Sequence, residues 1–572
     1  MAALADDIQL EYPIESPILT LESPPGMPTP PIQLPDLPDA ERTPLVEQLL
    51  ALIEAMAETI HRQAETIQQL RDEIAVLKGE KPKPTFKPSG MEKQTDPNVT
   101  DGRDGDGDGE SKGKRPGSAK RHKTQDLIIH EECPIPPRDV PAGARFKGYR
   151  DFVVQDLKIE PHNTRYRLEV WRTPDGEYLY GELPPALQDG HFGPGLRAYV
   201  LYQHHQCHVT QPLLREQLLE WGIDLSAGQI DALLSGHNEP FFAEKDRLLA
   251  VGLAVSSFIS VDDSGARHQG RNGYVTQIGN DFFAWFSSTE SKSRINFLQL
   301  LQAGTPVYRL NDEALAYWRE QGLPQALCQN LMAHPTVEGV TTAAWEQQLD
   351  DWGLVTERHR RIATEGALVG GLFAKGLSHD LVIVSDGAGQ FAILLHALCW
   401  VHAERLIHKL IPLDENHRQD QERVRDELWT LYADLKAYQR DPDPAAMDAL
   451  RARFEALFTQ KTSFATLNNT LKRLYTHQSE LLLVLLRPDV PLHTNGSEND
   501  IRGFVKWRKV SGGTRSDLGR RCRDTFASLK KTCRKLGISF WDYLNDRIGQ
   551  VGAIPPLPEI VRERAAAAEA VP

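Results

Sequence analysis

Three carboxylates in this chain stand where residue type and local pattern would let them grip a cation. The apolar, β-branched run Leu253 to Val261 suits a buried strand and ends at Asp262 and Asp263, so a carboxylate would leave a sheet at a strand edge. The shorter run Leu381 to Val384 repeats the device and delivers Asp386 to a Gly-rich turn. The third, Glu498, opens a predicted helix in "HTNGSENDIRGFVKWRKVSGGTRS", with Arg502 one turn onward. A hard divalent ion such as Mg²⁺ prefers oxygen ligands and keeps several waters, so two or three carboxylates plus a substrate phosphate suffice. Two such ions about 3.5–4 Å apart would clamp the attacking and leaving oxygens of an in-line displacement. Each residue also has a plainer reading: Asn495 and Glu498 have capping-box spacing, and an Asp before Gly is common turn chemistry.

The elements that must hold these groups can be read from the pattern around them. After the first Asp come two strand-like stretches, "RNGYVTQIGN" and "DFFAWFSS", separated by the turn-prone Gly279-Asn280-Asp281, which predicts a three-stranded antiparallel meander. The order strand-Asp, strands, strand-Asp, helix-Glu is a ribonuclease-H-like arrangement, an α/β fold on a mixed sheet. Alternation along a strand lets only one of Asp262 and Asp263 face an ion, and Asp262 is preferred. Residues 251–548 are read as this catalytic domain, with large helical insertions at about 300–378 and 405–490 framing a groove, and 549–572 as a tail.

Upstream, residues 1–44 are rich in Pro, Asp and Glu without periodicity and read as disordered. Val46, Ile53, Ile60, Ile67 and Ile74 then recur every seven residues, with Leu49, Met56, Gln63, Leu70 and Leu77 three places later. That seam predicts a parallel, self-associating coiled coil over 45–78, with Gln63 fixing register. A flexible charged linker follows over 79–125. Its "GRDGDGDGE" lacks the Glu of a calcium loop, because Arg115 stands there. Residues 126–250 are predicted to form a region of short strands, "RFKGYRDFVVQDL" and "RYRLEVWRTPDGEYLYGEL", followed by helices. Among these helices "TQPLLREQLLEWGIDLSAGQIDALL" is compatible with a helix-turn-helix.

The chain of 572 residues carries a net charge of −14, the wrong sign for a partner of polyanions. Its distribution reverses that conclusion. Residues 501–540 hold twelve Lys or Arg against Asp517 and Asp524, a local +10 that leaves −24 for the rest. Lys506, Arg508, Lys509, Arg515, Arg520, Arg521 and Arg523 are therefore expected to track phosphates of double-stranded DNA. Six scattered cysteines without a Cys-x-x-Cys pair fit a reducing cytoplasm, and the sequence shows neither a leader nor a membrane span.

The stretches "VDDSGARHQGRNGYVTQIGN", "STESKSRINFLQLL", "VSDGAGQF", "CWVHAERLIHKL" and "NGSENDIRGF" resemble transposases of the IS-sixty-six family of bacterial insertion sequences, over about Leu127 to Ile548. The resemblance implies a D-D-E enzyme that cuts DNA at the terminal inverted repeats of its element and joins the ends to target DNA. It also implies a cofactor of two Mg²⁺ or Mn²⁺ ions, and accessory proteins of the same element as further partners. Residue by residue it implies catalytic and metal-binding roles for Asp262, Asp386 and Glu498, with Asn495 and Arg502 flanking the last. Cys399 and His402 match a Cys-x-x-His pair of the family, expected on one helical face near the site beside Asp263. A buried apolar Cys and a satisfied polar His remain equal readings. Where relatives carry paired upstream cysteines for zinc, only His130 and Cys133 are present, too few ligands for that site. Asn499 also stands where many relatives have Arg. Two other functions are consistent with the same residues: a noncatalytic DNA-binding regulator derived from a transposase, and a metal-dependent nuclease that cuts without joining.

Overall fold

A computed structural model describes residues 46, 48, 49, 52, 53, 56, 59 and 128–569, except 185, 186, 188, 189 and 335–341. By packing, the described residues fall into two compact units, one holding 403–478 with the described positions before 60, the other holding 128–402 and 479–569.

The second unit begins with a surprise for the sequence reading. Residues 128–169 contain no helix or strand and are exposed throughout, so "RFKGYRDFVVQDL" is not a strand. Alternating side chains make a strand only where a neighbour completes the ladder, and none does so among the described residues. The following hairpin does form, pairing β1 (Val170–Arg172) with β2 (Tyr178–Tyr180). Its turn passes through Gly176 at φ +90.

Four helices follow, α1 (Pro194–His205), α2 (Gln211–Glu220), α3 (Ala227–Ser235) and α4 (Glu239–Ala254). Gly222, at φ +79, turns the chain after α2, and Ser226 with Gln229 forms a capping box that starts α3. Their buried faces share one hydrophobic cluster with the sheet, so no packing boundary falls at residue 250.

The sheet itself is mixed and five-stranded. β3 (Phe258–Gly265), β4 (Tyr274–Gly279) and β5 (Ala284–Thr289) form the expected antiparallel meander. Helices α5 (Arg294–Leu301), α6 (Asp312–Glu320), α7 (Gln325–Met332), α8 (Thr342–Asp351) and α9 (Glu357–Ala374) intervene. The chain then returns in β6 (Val382–Ser385), parallel to β3, and β7 (Leu395–Leu398), parallel to β6. The strand order is β5-β4-β3-β6-β7. The stretch 300–378 is not peripheral: α9 buries most of its length, and a Cβ on Gly371 would lie 2.0 Å from the Val307 carbonyl, so only glycine permits that approach.

The strand carrying the first carboxylate starts later than its apolar run suggests. Leu253 and Ala254 complete α4, and β3 continues through Asp262 and Asp263, which pair with Gln277 and Thr276. The carboxylates therefore project from within the sheet.

After β7 come α10 (Trp400–His408), α11 (Glu415–Arg440), α12 (Pro444–Thr459) and α13 (Ala465–Tyr475), then α14 (Asn495–Ser511), α15 (Asp517–Lys535), α16 (Phe540–Ile548) and α17 (Leu557–Glu569). In the first unit α11, α12 and α13 pack around Val424, Leu428, Phe454 and Leu471. There the buried Glu404 carboxylate is held by Arg425 at 2.7 Å. The supposed tail 549–572 is corrected: α17 buries Leu557, Val561 and Ala565, spaced four apart, and packs on α4.

Helix α15 closes the open edge of β5. Asp524, Ser528 and Thr532, four residues apart, accept the backbone N–H groups of Ser288, Phe286 and Ala284, two residues apart, at 2.8, 2.9 and 3.1 Å. Four helical residues rise about 6 Å and two strand residues about 6.6 Å, so the two periods stay in step over three contacts. An edge that would otherwise offer a template for another strand is thereby satisfied by side chains.

Candidate active site

Asp386 just past β6 and Glu498 in the first turn of α14 are both brought within electrostatic reach of Asp262 on β3. Asp262 shows it best. Burial pushes its carboxyl up to about 7, and the negative charges of Asp386, Glu498 and Asp263 add to the rise, against one 2.7 Å hydrogen bond from the Asp263 backbone. Among the described residues neither Asp262 nor Asp386 has an ion-pair partner.

Each carboxylate is set by local chemistry. Asp386 accepts the Ala388 N–H at 3.0 Å, and Gly387 at φ +94 makes the turn that a side chain would strain. Behind it, the Ser385 hydroxyl bonds His396 Nε2 at 2.8 Å and accepts Gly387 N–H at 3.1 Å, while His396 reaches Glu480 at 3.2 Å. Glu498 sits 3.6 Å from His402 Nε2 and 3.3 Å from Arg502 Nη2. The capping-box reading is corrected: the helix starts after Thr494, whose side chain makes no cap bond, and Asn495 is already its first residue.

Asp263 faces elsewhere, as strand alternation requires. It accepts a 2.6 Å bond from Gln390 and pairs with Lys292, which lies over the Tyr274 ring. Its charge is compensated where that of Asp262 is not.

Cys399 precedes α10 instead of lying on its face, and its carbonyl accepts the His402 N–H at 3.1 Å. Burial raises the thiol, but hydrogen bonding to His402 and Thr494 outweighs it and leaves the thiol below its ordinary value. Thr494, immediately before α14, carries no signal in the sequence, yet with Cys399 and His402 it links the end of β7 to the Glu498 helix.

The far end of α14 is tied back to β3. Arg508 donates to the Gly265 carbonyl, and Thr514 bridges the β3–β4 connection through Arg267 O, Gln269 N and His268 Nδ1. The helix is thus pinned at its far end and packs along β3 and β4.

The basic residues divide. Lys506, Lys509, Arg515 and Arg521 are exposed. Arg520 pairs with Asp517 at 2.8 Å, and Arg508 is occupied with β3. Arg523 is 4% exposed, pairs with Asp524 and lies over Phe504 and Trp507, so it does not stand in an exposed row. Neutralising the four exposed cations together is expected to flatten the log–log salt dependence of DNA binding by about 3 to 4, read by titration across salt concentrations. An unchanged slope would remove this surface from the DNA interface.

Among the described residues, no group of three or more His, Cys, Asp or Glu side chains forms a ready metal cage. The donor chemistry still suits a hard ion: burial and the charges of Asp386, Glu498 and Asp263 raise the proton affinity of Asp262, the situation a divalent cation relieves.

Comparison with known proteins places the chain in a family. The pattern described as "Transposase IS66 family" matches residues 359–521, which include Asp386, Cys399, His402 and Glu498, and the chain belongs to that family. It is also similar to "Uncharacterized protein y4jO" of Sinorhizobium fredii (strain NBRC 101917 / NGR234), 44% identical over 321 residues, covering 56% of this chain and all of that protein. No helix among the described residues is long and apolar enough to cross a membrane.

Proposed function

We propose that this chain is a D-D-E DNA transposase on a ribonuclease-H-like scaffold, and that it cleaves at the ends of its insertion sequence and joins them to target DNA. The observation that supports the reading is the approach of Asp386, from the end of the strand parallel to β3, and of Glu498, from the helix packed on β3 and β4, to Asp262 on β3. Asp262 and Asp386 would hold the divalent ions, Mg²⁺ or Mn²⁺, and Glu498 would complete the second position. When bound, the ions supply Lewis acidity to the phosphoryl oxygens and lower the pKa of an attacking water or 3′-hydroxyl. The protein's own contribution is placement. Arg508 and Thr514 fix α14 against β3, His402 and Arg502 orient the Glu498 carboxylate, and exposed cations hold the duplex without reading sequence.

The test is incubation of the protein and Mg²⁺ with labelled duplexes carrying the element's ends and a target plasmid. Cleaved ends with free 3′-hydroxyls and joined products are expected. Cuts without joined products would make it a nuclease, and DNA retention with neither would make it a noncatalytic regulator.

The paired assembly such joining needs would come from the N-terminal seam. Val46, Leu49, Ile53 and Met56 are helical, and the last three are exposed, while the heptads from Ile60 to Leu77 lie outside the described residues. The double substitution Ile53→Asp with Met56→Asp is expected to convert a dimer to a monomer in sedimentation. Unchanged sedimentation would move self-association elsewhere.

A further inference from the structure

Away from the carboxylates, the end of α1, β5, α14 and α15 enclose a cavity whose walls are cationic and incompletely hydrogen-bonded. Its empty space is about 340 Å³ counted to the mouth, but a water-sized centre can move through only about 20 Å³ of it. Arg523, Trp507 and His205, which are 4%, 8% and 6% exposed, line it, together with half-buried His208 and Lys530. Among the described residues, Arg523 Nη1, Trp507 Nε1, His205 Nε2 and His208 Nδ1 are buried without a hydrogen-bond partner, and a fifth wall atom, Asp500 Oδ2, meets the Lys535 ammonium at 3.0 Å. Four such orphans from three elements converge on one space, and each is costly to leave unsatisfied.

The charge of the walls selects the occupant. Arg523 is partly balanced by Asp524, and Lys531 shares Asp500 with Lys535. Among the described residues Lys530 pairs with no carboxylate: its ammonium donates to the His205 carbonyl at 2.6 Å, and burial and then Lys531 pull it down to about 8. Burial, followed by neighbouring cationic groups, keeps both imidazoles neutral, His208 down to about 4. A metal ion would meet ammonium and guanidinium groups, which excludes it. A nucleobase is too large for the enclosed part. Water alone would satisfy the orphans but leave the excess positive charge.

We propose that this cavity binds one phosphate oxyanion, with the Trp507 indole N–H and the Arg523 guanidinium donating to its oxygens and Lys530 supplying charge. Inorganic phosphate and a phosphodiester of the DNA backbone present the same chemistry. The second source deepens the DNA-binding part of the proposed function, while the first stands without it. Arg523 then holds a single phosphate inside the fold, in place of the surface row the sequence suggested.

The experiment uses the full chain, ¹⁵N-labelled at tryptophan, in EDTA so that no metal site contributes. Trp507→Phe removes the donor but keeps the ring under Arg523 and identifies the Trp507 indole resonance. Addition of inorganic phosphate is expected to shift that resonance, and calorimetric phosphate affinity should fall about tenfold in Trp507→Phe, the loss of one hydrogen bond to an ion. Lys530→Met, checked for an unchanged melting profile, should weaken binding as well. A shift with a short duplex as well as phosphate assigns a backbone phosphodiester; a shift with phosphate alone assigns a free anion. No shift with either overturns the proposal in favour of a water-filled cavity, and equal phosphate affinity in the wild type and both variants overturns it by placing binding elsewhere. Because no cleavage is measured, these outcomes are independent of whether the carboxylate site cuts DNA.

Discussion

Asp262→Ala, Asp386→Ala and Glu498→Ala should each lower cleavage of element ends by at least about 10³-fold while the protein stays folded, because each removes one of few ligands from a site whose ions do the chemistry. The fold gives a reason to expect retention of structure. Asp386 is exposed and Asp262 has no ion-pair partner, so their removal leaves no buried charge behind. Groups that act as one unit are not additive, so the Asp262→Ala, Asp386→Ala double variant should be about as slow as either single one. A product of the two single losses would mean that they serve separate steps.

The neighbouring acid is the control. Asp263→Asn disturbs the Lys292 and Gln390 contacts on the other side of the strand, so cleavage should stay within about tenfold of wild type. Quantified nicking of a labelled duplex decides between them. Full activity in Asp262→Ala with loss in Asp263→Asn would exchange their roles, and full activity in all three alanine variants would remove the site.

Much of this frame is legible in the sequence. Alternation and the Gly279-Asn280-Asp281 turn gave the meander, and an apolar tetrapeptide ahead of Asp386 gave the parallel strand, because both are local patterns. What local pattern cannot carry is pairing at a distance. Asp524, Ser528 and Thr532 look like ordinary polar positions on a basic helix, and only residues some 240 positions earlier make them the cap of an edge strand. The same blindness hid the burial of Arg523, whose aromatic neighbours Phe504 and Trp507 belong to another helix. Leu253 and Ala254 were assigned to the strand because an apolar run does not announce where a buried helix stops and a buried strand begins. Asp263 could be set aside by alternation, but its partner Lys292 could not be found, since that contact crosses the sheet to the loop after β5.

A carboxylate buried and then surrounded by like charges should weaken the fold that carries it, and Asp262 makes that measurable. Its carboxyl rises from an ordinary value near 3.8 to about 7, so between those two values the folded chain holds a proton that the unfolded chain has released. Stability without metal therefore falls as pH climbs through that window, and the full penalty is present above it. A rise of about three units corresponds to about 4 kcal/mol. Asp262→Asn, which cannot ionise, should melt several degrees higher than wild type at pH 8 in EDTA and match it near pH 4. Mg²⁺ should close the gap by raising the wild type alone, since binding to the folded form stabilises it by mass action. Cleavage should follow the opposite slope, rising with pH, with a midpoint that moves below about 7 as Mg²⁺ is raised, because ion and proton compete for the carboxylate. Calorimetric melting across pH 4–8, with and without Mg²⁺, measures the first two effects. A variant that melts below wild type at pH 8 would mean that Asp262 is stabilised by partners in the fold and is not held in reserve for a cation.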